Sequence, residues 1–191
     1  QKEILDIIIR NCQYLEDIIR SYIDLSKMEL DDIEALNQKV NLVNDVIQNV
    51  LEIPEYSSNM KKMKLSTEFK IHPVIPGDPN LLQIVVTNLV NNAIKYGREN
   101  TEIKISVYQQ DNNAVFSIYN EGVGISKEDI ETKLFSKFGR LRQKGTEGVK
   151  GSGLGLYICK KIIEKHNGKL WAESVVGEFV NFFFTIPIAE K

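Results

Sequence analysis

The sequence predicts an α+β fold, a two-layer α/β sandwich preceded by a long N-terminal helix, and three observations lead to this prediction. Several segments of the chain alternate apolar and polar residues, which is typical of strands with one buried face. Amphipathic segments that begin at clear helix caps lie between them. From Lys2 to about Met28 the pattern is helical throughout. Helices that alternate with strands can cover one face of a sheet, and this arrangement makes two layers.

The composition excludes several classes of protein. With 191 residues, of which 42% are hydrophobic and 26% charged, the chain can bury a core and is not disordered. A net charge of -2 argues against nucleic acid as the main partner. Cys12 and Cys159 lie far apart without metal-ligand spacing, so we expect two reduced, mostly buried thiols. No apolar run approaches the roughly 18 residues of a membrane span, so we expect no direct membrane contact and a cytoplasmic location.

The chain divides into a helix over residues 1–30, a linker over residues 31–38 and a second domain over residues 39–191. The helix has a wide apolar face that needs a partner. This face comprises Ile4, Leu5, Ile8, Cys12, Leu15, Ile18, Ile19, Tyr22 and Leu25. An acidic stretch from Glu29 to Glu34 separates the helix from the rest of the chain and marks the boundary.

The first half of the second domain contains one strong helix signal. Asp78 followed by Pro79 is a cap with proline at the first helical position, and Gly97 supplies the stop after about Tyr96. The weaker elements before it are a strand in "ALNQKVNL", a helix from Leu42 to about Leu51, a strand in "KLSTEFKI" and an extended segment in "IHPVIPGD".

The second half contains four predicted strands and two helices. The strands "TEIKISVYQQ" and "NAVFSIYNE" are joined by a turn at residues 111–113, which predicts a hairpin. The remaining elements are a short helix from Ser126 to Lys133, a Gly-rich basic loop, a helix from about Gly153 to His166, and the strands "KLWAES" and "FVNFFFTIP".

Polar residues share one sector of the helix that Asp78 begins. Asn88, Asn92 and Lys95 fall within about 60° of one another, beside the apolar stripe. Asparagine has only a moderate helix propensity, so the asparagines lower the intrinsic stability of this helix. For Asn91, which points elsewhere, a solvated face explains the residue. For Asn92 we favour a functional role, because an amide oxygen is a hard ligand suited to Mg²⁺.

Two glycine clusters complete the candidate site. Asn120 ends a predicted strand immediately before Gly122 and Gly124, where a ligand can lie against the backbone. The second cluster, Gly151 to Gly155, lies at a helix N-terminus, where free N–H groups favour phosphate. It matches neither the Rossmann fingerprint nor a Walker A loop, because Leu156 takes the last glycine position and no Lys-Ser or Lys-Thr pair follows.

Taken in order, these segments resemble the sensor histidine kinases, which share a nucleotide-binding fold with DNA gyrase and the heat-shock ATPases. The resembling segments are "NLVNNAIKYG" for the N box, "NEGVGI" for the first glycine box, "LFSKFGRL" for the phenylalanine box and "GSGLGL" for the second glycine box. The resemblance covers about Leu36 to Pro187. It implies a mixed sheet covered by helices on one face, and it identifies the N-terminal helix as similar to the second helix of the dimerisation and phosphoacceptor hairpin.

Carried over residue by residue, the resemblance implies a site for ATP and Mg²⁺. Asn92 would hold the metal, with Asn88 and Lys95 near the phosphates and Tyr96 beside the nucleotide. The implied ATP-binding residues are Asn88, Asn92, Lys95, Tyr96, Asn120, Gly122, Gly124, Ile125, Phe135, Phe138, Arg140, Lys150, Gly151, Gly153, Leu154, Gly155, Leu156 and Thr185. The segment from Phe135 to Lys150, with Lys137, Arg142 and Lys144, resembles a mobile lid over ATP; a solvated basic loop is the alternative interpretation.

The sequence departs from the family pattern at two binding positions. Asn120 stands where the family has an aspartate that accepts a hydrogen bond from the adenine amino group. An amide oxygen can accept the same bond without charge assistance, so we expect weaker adenine recognition. In the last strand, Gly177 is kept, but Phe179 and Val180 replace small hydroxyl residues.

The third departure concerns the phosphoacceptor. His72 precedes a proline in a predicted loop, and His166 lies at a helix stop, where a cation complements the helix C-terminus, so neither resembles the family's phosphorylated histidine. The resemblance therefore implies that the γ-phosphoryl group of ATP passes to a histidine outside this sequence and then to a response regulator. It also implies a homodimer of the complete protein through the helical hairpin.

Two other functions remain open from the sequence. An ATP hydrolase of the gyrase or chaperone type needs a carboxylate one turn before Asn92, and that position is Asn88, a poor base. A degenerate kinase that works as a nucleotide-binding or scaffold module is compatible with Asn120 and the altered last strand.

Overall fold

The computed structural model describes residues 38–53, 63–141 and 151–189 continuously. It also describes residue 36 and, near the N-terminus, residues 5, 9, 11–12, 15–16, 18–19, 21–24 and 26.

The main sheet has five strands in the order β2-β4-β5-β7-β6. Strand β2 pairs in parallel with β4, and every other pairing in this sheet is antiparallel, so the sheet is mixed. The strands are β2 (Lys64–Phe69), β4 (Glu102–Gln110), β5 (Asn113–Glu121), β6 (Lys169–Val175) and β7 (Phe179–Pro187).

A second, smaller sheet pairs β1 (Lys39–Asn41) with β3 (Val74–Pro76) in antiparallel fashion. Between them, α1 begins as a π-helical segment, Leu42–Ile47, and continues as an α-helix, Gln48–Leu51. Its start is fixed by Asn41, whose side chain accepts hydrogen bonds from the backbone N–H groups of Val43 and Asn44.

Three helices follow in the second domain: α2 (Pro79–Tyr96), α3 (Lys127–Thr132) and α4 (Gly155–Lys165). The core lies between the sheet and the apolar faces of α2 and α4, because alternate strand residues such as Phe116 and Phe184 are fully buried against them. The two-layer α+β prediction is therefore confirmed.

The predicted elements from β1 to β7 are all present, with small shifts in their bounds. One of these shifts is in α4, which begins at Gly155 rather than Gly153. Gly153 has a φ of +72°, in the left-handed region, so the helix cannot extend back through it.

The described residues between positions 5 and 26 have helical backbone. The continuous helix and the boundaries at residues 30 and 38 stay predictions, because much of this region lies outside the described residues. The prediction that both thiols are buried is wrong for one of them: Cys159 is buried between α4 and the core, but Cys12 is exposed. None of the helices among the described residues is both long and apolar enough to cross a membrane.

Candidate functional site

The antiparallel packing of α2 and α4 creates the candidate site. Near the start of α2, the Asp78 N–H donates to His166 at the end of α4. In the middle, the Cys159 thiol donates to the Val85 carbonyl at 3.8 Å. Gly155, the first residue of α4, therefore comes to lie against Asn88 in the second half of α2.

Asn88 and Gly155 are in such close contact that only glycine fits. The Asn88 Nδ2 donates to the Ile84 carbonyl at 2.9 Å, which fixes the amide and directs Oδ1 toward α4. A Cβ atom at Gly155 would lie 2.5 Å from that Oδ1. The second glycine cluster is thus fitted to a polar side chain of the N box segment.

Lys95 makes the equivalent contact two turns further along α2. A Cβ atom at Gly151 would lie 3.2 Å from the Lys95 Nζ, and this ammonium group is 5.9 Å from the centre of the Tyr96 ring. Asn92 lies between Asn88 and Lys95 in the same helical sector and is half-buried. The structure therefore brings the predicted amides and amine together beside the glycine cluster.

The N-terminus of α4 has no side-chain cap, unlike those of α2 and α3. Asp78 caps α2 and Ser126 caps α3 through their side-chain oxygens, whereas Leu154, at the cap position of α4, makes no such bond. Ser152 Oγ accepts a bond from the Leu154 N–H at 3.2 Å, one residue before the helix. The first-turn N–H groups of α4 are thus oriented as an anion site requires, beside buried Leu154 and half-buried Leu156.

The end of β5 forms the other wall of the candidate site. Asn120 is only 2% exposed, and its Nδ2 donates to the Glu121 carbonyl at 3.2 Å. Gly122 forms an isolated antiparallel bridge with Gly97, directly after α2. A Cβ atom at Gly122 would lie 2.3 Å from the Tyr96 carbonyl oxygen, so this glycine permits β5 to meet the end of α2.

Gly124 allows the segment after β5 to approach the backbone at the end of β6 in a similar way. Its φ is +64°, and a Cβ atom there would lie 2.1 Å from the Val175 carbonyl oxygen. The next residue, Ile125, is buried, and its N–H donates to the Ser174 Oγ at 2.8 Å. The segment after β5 is therefore fixed against the end of β6.

The predicted lid segment begins next to the second glycine cluster. Phe135 packs edge-on against Phe182 of β7, with 6.5 Å between ring centres. Phe138 has a φ of +62°, which is uncommon for a bulky residue, and a Cβ atom at Gly153 would lie 2.9 Å from its carbonyl carbon. The Phe138 ring and Arg140 are exposed. Arg142, Lys144 and Lys150 lie outside the described residues.

Thr185 does not belong to this constellation. Asn120 pairs with Val180 in the β5–β7 register, and Thr185 pairs with Val115 at the far end of the strands. Because side chains alternate along β7, Thr185 also lies on the opposite face from buried Val180 and Phe182. Val180 is the β7 residue that faces Asn120; the alternation of "FVNFFFTIP" contained this signal, but only the register identifies the pair.

The two histidines differ in their surroundings. His166 is buried: its Nε2 accepts the Asp78 N–H at 3.1 Å, so its Nδ1 carries the proton and donates to the Ile162 carbonyl at 2.7 Å. Burial lowers the pKa of His166 from its ordinary value of 6.5. The expectation of a cation at this helix stop is therefore wrong, because the neutral ring joins two helix ends. His72 is exposed.

Comparison with known proteins decides the family. A family model described as "Histidine kinase-, DNA gyrase B-, and HSP90-like ATPase" matches residues 77–190, which contain every element of the site. The chain belongs to this family. ATP is therefore the nucleotide that its fold binds.

Relatives of this ATPase family member are sensor kinases. The chain is 30% identical over 179 residues to the sensor protein kinase WalK of Staphylococcus aureus, covering 89% of this chain and 41% of WalK. It is also 30% identical over 187 residues to the sensor protein KdpD of Clostridium acetobutylicum, covering 98% of this chain and 20% of KdpD. The chain thus spans less than half the length of these curated relatives.

The solved catalytic domain of the histidine kinase ThkA has the same fold. It is 33% identical to this chain, with a TM-score of 0.66, and the match covers 79% of this chain and 95% of the ThkA domain. The mixed sheet with helices on one face is therefore the histidine kinase catalytic fold.

Proposed function

We propose that this chain is the ATP-binding catalytic part of a sensor histidine kinase. It positions ATP so that the γ-phosphoryl group passes to a histidine that the described residues do not supply. Positioning and charge stabilisation are most of what a protein contributes to phosphoryl transfer, so a well-placed nucleotide is the main requirement.

One observation carries the proposal: the contact between the polar sector of α2 and the uncapped start of α4. Asn88 Oδ1 faces Gly155, and Lys95 Nζ faces Gly151, so an amide, an ammonium group and backbone N–H groups converge on one place. The ammonium group and the backbone N–H groups supply the positive charge and the donors that phosphate oxygens need, whereas the Asn88 amide presents an acceptor here and contacts the first turn of α4. The triphosphate therefore lies against the uncapped start of α4, beside Lys95, and the base lies toward Asn120 and Tyr96.

The donor set also fits Mg²⁺. Asn92 is half-buried in the sector between Asn88 and Lys95, and its amide oxygen is the hard oxygen ligand that Mg²⁺ accepts. Mg²⁺ typically takes only one or two protein ligands and fills its shell with phosphate oxygens and water, so a single amide suffices. When bound, the metal neutralises negative charge on the phosphates. Asn92 holds the metal, and Lys95 adds a second positive charge near the phosphates.

The same helix argues against an ATP hydrolase. A hydrolase needs a base that activates water one turn before the metal ligand, and Asn88 takes that position. Its amide has no basic oxygen, and its Nδ2 is engaged with the Ile84 carbonyl. We therefore expect slow hydrolysis, with the phosphoryl group kept for a histidine acceptor.

Two partners follow from this function. The N-terminal residues Leu5, Leu15 and Ile19 are each 57–58% exposed, so the helical segment presents apolar side chains that a second copy of the complete protein can cover. A response regulator then receives the phosphoryl group. This part of the proposal is supported by a solved complex of the histidine kinase ThkA with the response regulator protein TrrA, to which this chain is similar at 28% identity and a TM-score of 0.71.

The test compares two asparagines on the same helix. ATP binding is titrated calorimetrically with and without Mg²⁺ for the wild type, Asn92→Ala and the matched control Asn91→Ala. We expect Mg²⁺ to strengthen binding to the wild type and to Asn91→Ala, because Asn91 is exposed and lies outside the polar sector. Asn92→Ala should lose this Mg²⁺ dependence, with a loss of about tenfold or more in affinity.

A second measurement tests the phosphoryl transfer. Asn92→Ala in the complete kinase should abolish histidine phosphorylation, whereas Asn91→Ala should not change it. Unchanged turnover in Asn92→Ala would contradict the metal assignment, and absence of ATP binding to the wild type at millimolar concentration would leave only the scaffold function.

A further inference from the structure

Asn120 is a buried amide at the place where the proposed function puts the nucleobase. Its neighbours across the sheet are Ile103 on β4 and Val180 on β7, and both are buried and apolar. Gly122 lies close on the same strand end, since a Cβ atom there would come within 3.3 Å of the Asn120 Nδ2. The amide is therefore the one polar group among these side chains. Its accepting oxygen and its donating nitrogen decide which hydrogen bonds a base can make.

A single, long hydrogen bond holds the Asn120 amide in its orientation. Among the described residues, the side chain donates from Nδ2 to the Glu121 carbonyl at 3.2 Å, and Oδ1 accepts no bond. In the part of the chain that the structure describes, the Asn181 Oδ1 is the one buried side-chain oxygen or nitrogen without a partner, so the Asn120 Oδ1 is not sealed from solvent and is open to a donor that a ligand brings. The present orientation offers Oδ1 to a ligand that donates, as the amino group of adenine does.

The opposite orientation is also within reach. The Glu121 carbonyl accepts a second, shorter bond from the Arg98 N–H at 2.8 Å, so it keeps a partner when the Asn120 bond breaks. Turning the amide about its terminal torsion then presents Nδ2 to the ligand. The turn costs one weak bond, and the side chain must also move so that its Oδ1 does not face the Glu121 carbonyl oxygen, which is another acceptor. A carboxylate at this position has no such alternative, because both of its oxygens only accept.

We propose that Asn120 makes the nucleobase site permissive at position 6 of the purine, so that it binds 6-oxo as well as 6-amino nucleotides. This inference rests on the proposed function, because it needs the base to lie against Asn120. With a 6-amino purine, Oδ1 accepts from the amino group; with a 6-oxo purine, Nδ2 donates to the oxo group.

The inference predicts weak discrimination between the two kinds of purine. A rigid buried acceptor rejects a ligand that lacks the matching donor by several orders of magnitude. An amide that can present either edge loses only the cost of turning, so the two affinities should differ by less than about tenfold.

The experiment titrates ADP and inosine diphosphate in the presence of Mg²⁺ into the wild type and into Asn120→Asp. These nucleotides differ at position 6 and at the adjacent N1 proton, without the 2-amino group that guanine would add. We expect dissociation constants within about tenfold of each other for the wild type and at least about a hundredfold preference for ADP in Asn120→Asp.

Three outcomes overturn this inference or its basis in different ways. Wild type that binds ADP and rejects inosine diphosphate by more than about a hundredfold leaves the proposed function intact and overturns the permissive site. If folded Asn120→Asp keeps the wild-type ratio of the dissociation constants for ADP and inosine diphosphate, Asn120 does not determine the selectivity at position 6. Wild type that binds neither nucleotide overturns the proposed function itself. If burial of a carboxylate unfolds Asn120→Asp, the wild-type ratio alone decides.

Discussion

The two ends of the α2–α4 pair are built in opposite ways. At the closed end, formed by Asp78 and His166, the Asp78 carboxylate caps α2 and the His166 ring bonds both helices. At the open end, formed by Asn88, Lys95 and the Gly151–Gly155 segment, α4 has no side-chain cap.

This difference separates folding from binding within one helix pair. Helix termini leave backbone groups without partners, and these groups need partners when buried. The closed end supplies them from its own side chains, so its substitutions should lower stability. The open end keeps donors and positive charge for a ligand, so its substitutions should lower ATP affinity and leave the fold intact.

The largest expected effect is the loss of the His166 ring. His166→Ala removes two hydrogen bonds and leaves a cavity under Gly77, which lies so close to the ring that a Cβ atom there would come within 2.8 Å of it. We expect the free energy of unfolding to fall by about 3 kcal/mol, measured by urea denaturation. His72→Ala is the matched control, because His72 is exposed and makes one bond, to Asn44 at 3.2 Å. If both substitutions lower the unfolding free energy equally, the closed end contributes no more to stability than an exposed position does.

The next effect concerns affinity at the open end. Gly155→Ala would place a Cβ atom 2.5 Å from the Asn88 Oδ1 and push this amide out of position. We expect ATP affinity to fall by about tenfold, with a change below about 1 kcal/mol in unfolding free energy, because alanine favours the helix. Calorimetric titration and urea denaturation of the same variant measure both quantities.

The double variant Asn88→Ala, Gly155→Ala identifies the contact responsible. If the clash with Asn88 causes the affinity loss, adding Gly155→Ala to Asn88→Ala should cost less than Gly155→Ala alone. Strictly additive losses would show that Gly155 acts through the backbone of α4 and not through Asn88.

A smaller effect at the closed end depends on pH. The folded pKa of His166 is lowered by burial from the ordinary 6.5 that the unfolded chain has. Its contribution to stability is therefore complete above about pH 6.5 and is lost as the pH falls from there through the lowered folded pKa. Urea denaturation at about pH 7.5 and pH 5 should show a steeper loss for the wild type than for His166→Gln. His72→Gln serves as the control variant. If unfolding free energy falls with pH as steeply in His166→Gln as in the wild type, groups other than His166 cause the pH dependence.

Much of the closed end could be predicted from the sequence because its signals are local. Asp78 and Pro79 are adjacent, and together they fix the start of α2 whatever packs against it. The partner of Asp78 could not be predicted, because His166 is 88 residues away and reaches it only through the packing of the two helices. From the sequence alone, His166 suggested a cation at a helix end. The structure shows a buried, neutral ring instead.

For the open end, the sequence predicted which side chains share one face of α2. The spacing of Asn88, Asn92 and Lys95 places them in one sector because helix geometry is regular. Which glycine each would meet depends on the antiparallel packing of α4. In the sheet, Thr185 and Val180 both lie on β7, and only the register with β5 shows that Val180 faces Asn120. Sequence periodicity thus predicts faces, whereas contacts between distant elements need the structure.

The smallest expected effect tests how far the open end tolerates change. Gly151→Ala would bring a Cβ atom to 3.2 Å from the Lys95 Nζ, which is the far end of a flexible side chain and can move aside. We therefore expect a change of only about 0.5 kcal/mol in unfolding free energy and about twofold in ATP affinity, measured as for Gly155→Ala. A loss as large as that of Gly155→Ala would show that the whole Gly151–Gly155 segment binds phosphate through its backbone. A small loss would instead restrict the sensitive contact to the first turn of α4, where Asn88 meets Gly155.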